Sequence, residues 1–81
     1  MRTTEQLLAE LQAIFIKEFS DSNIILNDDT TAKDIAMWDS LTHMGLMDTI
    51  ERHFEISFSL DEMISFKNVG DLRTAITAKL N

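Results

Sequence analysis

Leu7, Leu8, Leu11, Ile14 and Phe15 stand at i, i+1, i+4, i+7 and i+8, which is one apolar stripe at helical period. Just before it, Thr3 and Gln6 fit a capping box, in which each side chain satisfies the other's free backbone donor. The stripe fades at Phe19-Ser20-Asp21. Leu46, Met47, Ile50 and Phe54 repeat the spacing and predict a second helix from Asp39-Ser40 to about Phe54. Val69, Leu72, Ile76 and Leu80 mark the buried stripe of a last helix. Asn68 is placed to cap it, and Asp71 sits in its first turn, where a carboxylate meets the positive end of the helix dipole.

Residues 20–39 form a long connection, which needs anchors if the domain is to be compact. Ile24, Ile25, Leu26 and Ile35 are the candidates, and Asp28-Asp29-Thr30-Thr31 reads as a turn or a short cap. Ile56-Ser57-Phe58-Ser59-Leu60 alternates like a strand. No second strand is available to pair with it, so it reads as an extended linker whose apolar side chains plug the core. Asp61 to Ser65 is a short helix or a single turn. Gly45 lies inside the second helix at a cost of roughly 1 kcal/mol relative to Ala. The expected fold is all-α: a small bundle of three longer helices and one short one, with a long first loop.

Composition narrows the picture. The 81 residues allow one domain, 1–81, with a modest core. With no Cys there is no disulfide and no protein thiol. No apolar run approaches the ~20 residues of a membrane span, and Met1-Arg2-Thr3-Thr4-Glu5 lacks a signal-peptide pattern, so the expected location is the cytoplasm. Fourteen acids against seven bases give a net charge of −7. Segment 28–62 holds nine of the acids and two of the bases, which is the whole net charge. Such a field disfavours nucleic acid and anionic membrane and suits a partner with a basic patch.

Few constellations carry chemistry. Asp39 can cap the second helix, which puts Ser40 at its first position, exposed near the positive end of the dipole and suited to an attached anion. Asp-Ser-Leu alone is common at helix starts. Ser40 and His43 share a helix side, but a triad also needs an orienting acid and an oxyanion hole, and the sequence offers no Gly-rich turn for the latter. His43 reads as a solvated helix-face residue or as one that flanks a group attached to Ser40, and His53 reads as a surface residue. An EF-hand counted from Asp28 fails, with Lys33 at the glycine position and Asp39 at the terminal glutamate. Met37, Met44, Met47 and Met63 lie around Ser40 in sequence and could line a pliable pocket or be ordinary core and surface residues.

The run from Asp29 through Trp38-Asp39-Ser40-Leu41-Thr42-His43 resembles the approach to the modified serine of acyl carrier proteins. Ile50-Glu51-Arg52-His53-Phe54-Glu55-Ile56 is similar to the end of that family's second helix, and Asn68-Val69-Gly70-Asp71-Leu72 to the start of its last. The resemblance implies a four-helix carrier, not an enzyme. It implies 4′-phosphopantetheine, transferred from coenzyme A to Ser40 by a phosphopantetheinyl transferase, with Asp39 as the helix cap beside it. It also implies transient docking of acyl-transferring or acyl-modifying enzymes, with basic patches, on a monomer through Leu41, Met44, Asp48, Glu51 and Glu55. Carriers of primary fatty-acid synthesis often have acids where this chain has Thr42 and Gly45, and Arg52 adds a base. A carrier of a specialised lipid, polyketide or related pathway is the expectation. The other reading of the residues is an acidic helical interaction module with no prosthetic group.

Overall fold

The computed structural model describes residues 2–80; Met1 and Asn81, the ends of the expected domain, lie outside the described residues. Four helices follow in order: α1 Thr4–Phe19, α2 Ser40–Phe54, α3 Leu60–Ser65 and α4 Val69–Leu80. No strand occurs among the described residues.

Each start is written in local chemistry. At α1 the Thr3–Gln6 box forms in both directions, at 2.9 and 3.1 Å. Ser59 and Glu62 form a second box at the head of α3, at 2.8 and 3.1 Å. Asn68 accepts from the Asp71 N–H at 2.8 Å, and the Asp71 carboxylate reaches back to the Lys67 N–H. Both α1 and α2 stop at a residue in the left-handed region, Ser20 at φ 51° and Glu55 at φ 56°. Neither is glycine, so each stop carries a steric cost of roughly 1–2 kcal/mol.

α1 packs on both α2 and α4. Leu11 and Phe15 of α1, Leu46, Met47 and Ile50 of α2, and Val69, Leu72 and Ile76 of α4 are the fully buried centre. Phe15 meets Phe19 and Trp38 edge to face, at centroid separations of 5.8 and 5.1 Å. This arrangement aims the positive ring edge at a negative ring face. Two expected core positions turn outward. Leu80 lies at the open end of α4, and Leu60 faces solvent because the chain has already entered α3 there. Only Phe58 and, in part, Ile56 plug the core from the linker.

The long connection is fastened at its middle. Ile24, Leu26, Ile35 and Trp38 are buried, but Ile25 is 78% exposed. Burial alternates from Ile24 to Leu26 as it does on extended backbone, where neighbouring side chains point to opposite sides. The Leu26 N–H donates to the Gln12 side chain of α1 at 3.0 Å. The expected turn forms around Asn27–Thr30, closed by the Thr30 N–H on the Asn27 carbonyl. Its carbonyls then take the first donors of α4. Val69 N–H donates to Thr30 and Gly70 N–H to Asp28, both at 2.9 Å. Arg73 adds a two-pronged ion pair to Asp28, at 2.8 and 3.0 Å.

The two glycines have opposite roles here. A Cβ on Gly70 would meet the Asp28 carbonyl oxygen at 3.0 Å, whereas a Cβ on Gly45 would meet nothing within 4 Å. Gly70→Ala should therefore lower stability by about 1–2 kcal/mol through overpacking against backbone. Gly45→Ala should raise it by about 0.5–1 kcal/mol through helix propensity. Urea unfolding midpoints that moved in the same direction would contradict this assignment.

Candidate functional site

Asp39 is extended, at φ −134° and ψ −172°, so its side chain folds back over the start of α2. One carboxylate oxygen accepts from the N–H groups of Leu41 and Thr42, at 2.9 and 3.0 Å. In return the Asp39 N–H donates to the Thr42 hydroxyl at 2.8 Å, and that hydroxyl donates to the Met37 carbonyl at 2.7 Å. Thr42 thus ties the connection to the helix. The Ser40 N–H is the first-turn donor that neither Asp39 nor Thr42 takes. Ser40 itself is exposed, with Leu41 beside it 86% exposed.

Beside Ser40 lies an open groove of about 360 Å³ between the start of α2 and α3. Ala32, Trp38, His43, Met44, Met63, Ile64 and Phe66 give it mostly apolar walls, with Asp39 and Lys67 as its charged members. Of the four methionines expected near Ser40, Met44 and Met63 line this groove. Met47 is fully buried core, and Met37 is exposed and outside the groove. A larger depression of about 690 Å³ runs along the connection, past Asp21, Asn27, Asp29 and Asp34. It is more polar and does not include Ser40.

His43 is not the solvated histidine that its position on the helix suggests. It is half-buried, and its Nδ1 accepts from the Trp38 indole N–H at 2.9 Å while its Nε2 lies 2.8 Å from the Met63 carbonyl. Both ring nitrogens are committed, so neither can draw a proton from Ser40. That geometry counts against the hydrolase reading. Sequence spacing could place His43 near Trp38, but nothing in it points to a carbonyl twenty residues later. His53 is exposed as expected and pairs with Glu10 of α1 at 3.1 Å.

The expected docking residues divide. Leu41, Met44, Asp48 and Glu55 are exposed, and Asp48 pairs with Arg52 at 3.1 Å. Glu51 is half-buried, and its carboxylate accepts the Phe58 N–H at 2.7 Å, bracing the α2–α3 linker. It faces inward more than the outward position expected of it.

Several carboxyls are held below their usual range. Backbone N–H groups of Thr42 and then Leu41 lower Asp39, the Arg73 guanidinium lowers Asp28, the Ser59 N–H and Lys79 lower Glu62, and Arg2 and His53 lower Glu10. The unfolded chain binds those protons more tightly. Stability from these groups is therefore complete above the ordinary carboxylate range near ~4 and is lost as pH falls through the lowered folded values. Urea midpoints should fall between neutral pH and about pH 3. Asp28→Asn should start from a lower midpoint and lose less on acidification, and an unchanged slope would contradict the Asp28 assignment.

Comparison with known proteins follows the same lines. Residues 9–76 match the family model described as phosphopantetheine attachment site. The solution structure of a holo acyl carrier protein from Geobacter metallireducens is similar at 44% identity, with a TM-score of 0.86 over 91% of this chain and 85% of that one. A candidate acyl carrier protein from Mycobacterium tuberculosis shares the fold at 21% identity, with a TM-score of 0.79 over 89% of this chain and 96% of that one. No curated protein matches the sequence. The chain belongs to the acyl carrier protein family, and it is a carrier of acyl groups on covalent 4′-phosphopantetheine rather than an enzyme.

Proposed function

We propose that Ser40 is the residue that bears the phosphopantetheine, and that the exposed start of α2 together with the adjoining groove is the carrier's working face. The observation that carries this reading is the position of the Ser40 hydroxyl. It is exposed, at the first position of α2, beside a groove with mostly apolar walls. The residues present fit the group. A phosphodiester on Ser40 would lie at the positive end of the α2 dipole, beside the Ser40 N–H that its neighbours leave free. The arm, when bound, supplies a terminal thiol that holds acyl groups as thioesters, and the chain itself has no Cys.

Partners are a phosphopantetheinyl transferase and acyl-processing enzymes. We assign their docking to Leu41, Met44, Asp48 and Glu55, around Ser40, with basic patches on the partner facing the acidic side chains. Glu51 contributes charge more than contact, because it is engaged by Phe58. The domain acts as a cytoplasmic monomer in this reading. No helix of the described residues is long and apolar enough to cross a membrane. Thr42 is committed to the helix cap, Gly45 offers no side chain and Arg52 sits on the outer face. These features support a carrier of a specialised lipid, polyketide or related pathway.

Two measurements test the reading. Incubation with coenzyme A and a broad-specificity phosphopantetheinyl transferase should add the mass of one phosphopantetheine to the intact protein, and Ser40→Ala should abolish the gain. A gain that survives in Ser40→Ala would place the arm elsewhere. Association with an acyl-processing partner should slow as salt rises, because the Debye length is about 10 Å at 0.1 M. Salt-independent association rates would argue against the acidic docking face.

A further inference from the structure

An indole N–H can only donate, and a peptide carbonyl can only accept. Trp38 Nε1 lies 2.9 Å from His43 Nδ1, and the Met63 carbonyl lies 2.8 Å from His43 Nε2. One protonation state satisfies both contacts: neutral imidazole, with a bare Nδ1 and the proton on Nε2. The two rings are nearly parallel, 18° apart, with centroids 6.0 Å apart. At that separation the ring faces are too far apart for close face-to-face contact, and the 2.9 Å N–H···N distance is that of a good hydrogen bond. His43 thereby spans three parts of the fold: the end of the connection through Trp38, α2 through its own backbone, and α3 through Met63. All three residues line the groove beside Ser40.

We propose that His43 is a positioning residue for this groove, bridging Trp38 to the Met63 carbonyl in its neutral Nε2–H form, and that protonation at Nδ1 breaks the bridge at Trp38. The functional meaning rests on Ser40 as the tether, since this is the groove the arm would enter. The chemistry of the switch is simple. A proton on Nδ1 turns an acceptor into a donor, and two donors then face each other at 2.9 Å. The indole must swing away or lose its partner in a half-buried setting, while the Nε2–H bond to Met63 remains and becomes charge-assisted.

No neighbouring group is placed to imitate this response. From its own helix cap, Asp39 faces the groove with its carboxylate bonded to backbone N–H groups and held below the usual carboxylate range. From α3, Glu62 stands next to Met63, occupied by the Ser59 N–H and by Lys79 at 3.2 Å, and it too is held low. Lys67 lines the far end of the groove, from the α3–α4 connection. The second imidazole, His53, is engaged with Glu10 on α1.

The single Trp makes the test direct. The full chain, labelled with nitrogen-15, is titrated from about pH 8 to pH 5, the range in which imidazoles change charge. The Trp38 indole N–H resonance and the Ile64 amide resonance are followed; the Ile64 N–H shares a peptide group with the Met63 carbonyl. In the unaltered protein both should shift with one common midpoint. In His43→Gln, whose side chain keeps one acceptor and one donor but cannot titrate, both should stay fixed across the range. Ser40→Ala should titrate like the unaltered protein, so a failure of the tether assignment would leave this result standing. An indole resonance that does not move in the unaltered protein, an Ile64 resonance that ignores the midpoint, or shifts that persist in His43→Gln would each overturn the proposal.

Discussion

The position of Ser40 depends on how α4 uses its first backbone donors. A helix start leaves its first N–H groups without partners in the helix. In α4, Val69 and Gly70 give theirs to the carbonyls of Thr30 and Asp28, and Asp71 gives its own to Asn68. The end of the chain thereby clamps the middle of the first connection. Ordering backbone costs roughly 1–2 kcal/mol per residue, and residues 20–39 have no helix of their own to offset it. The clamp, the Arg73–Asp28 pair and the buried Ile24, Leu26, Ile35 and Trp38 together hold the connection. Only then does the chain arrive at Asp39 in the extended conformation that lets its carboxylate close over α2.

Features that depend on near neighbours were legible in the sequence. Thr3 with Gln6, Asp39 with Leu41 and Thr42, and Asn68 with Asp71 all act within three residues. The buried stripes of α1 and α2 follow from period alone. Harder cases involve a choice that period does not make. Ile24, Ile25 and Leu26 look equivalent as letters, but extended backbone lets only alternate members face the core. Leu60 belongs to the alternating linker by pattern, yet Ser59 and Glu62 start a helix around it and turn it outward.

The site shows the same division. The place of Ser40 on α2 follows from its cap. The groove beside it does not, because Ile64, Phe66 and Lys67 reach it from a segment more than twenty residues away. His43 is the clearest instance. On a helical wheel it is a polar residue near the surface, and its role appears only when an indole and a carbonyl from two other segments arrive on either side of it. Glu51 is similar: its acidic character suggests solvent, and the Phe58 N–H draws it inward.

α3 has six residues, none of them fully buried. A helix that short has no stability of its own in water. It persists through a serine cap, a lysine contact at 3.2 Å, one imidazole, and the partial packing of Met63. The aromatic and aliphatic centre of the domain, by contrast, is built from α1, α2, α4 and the connection. Displacing α3 therefore costs little compared with unfolding the rest. One side of the groove is thus a single short turn of helix held at a few points, and the other is the packed centre of the domain.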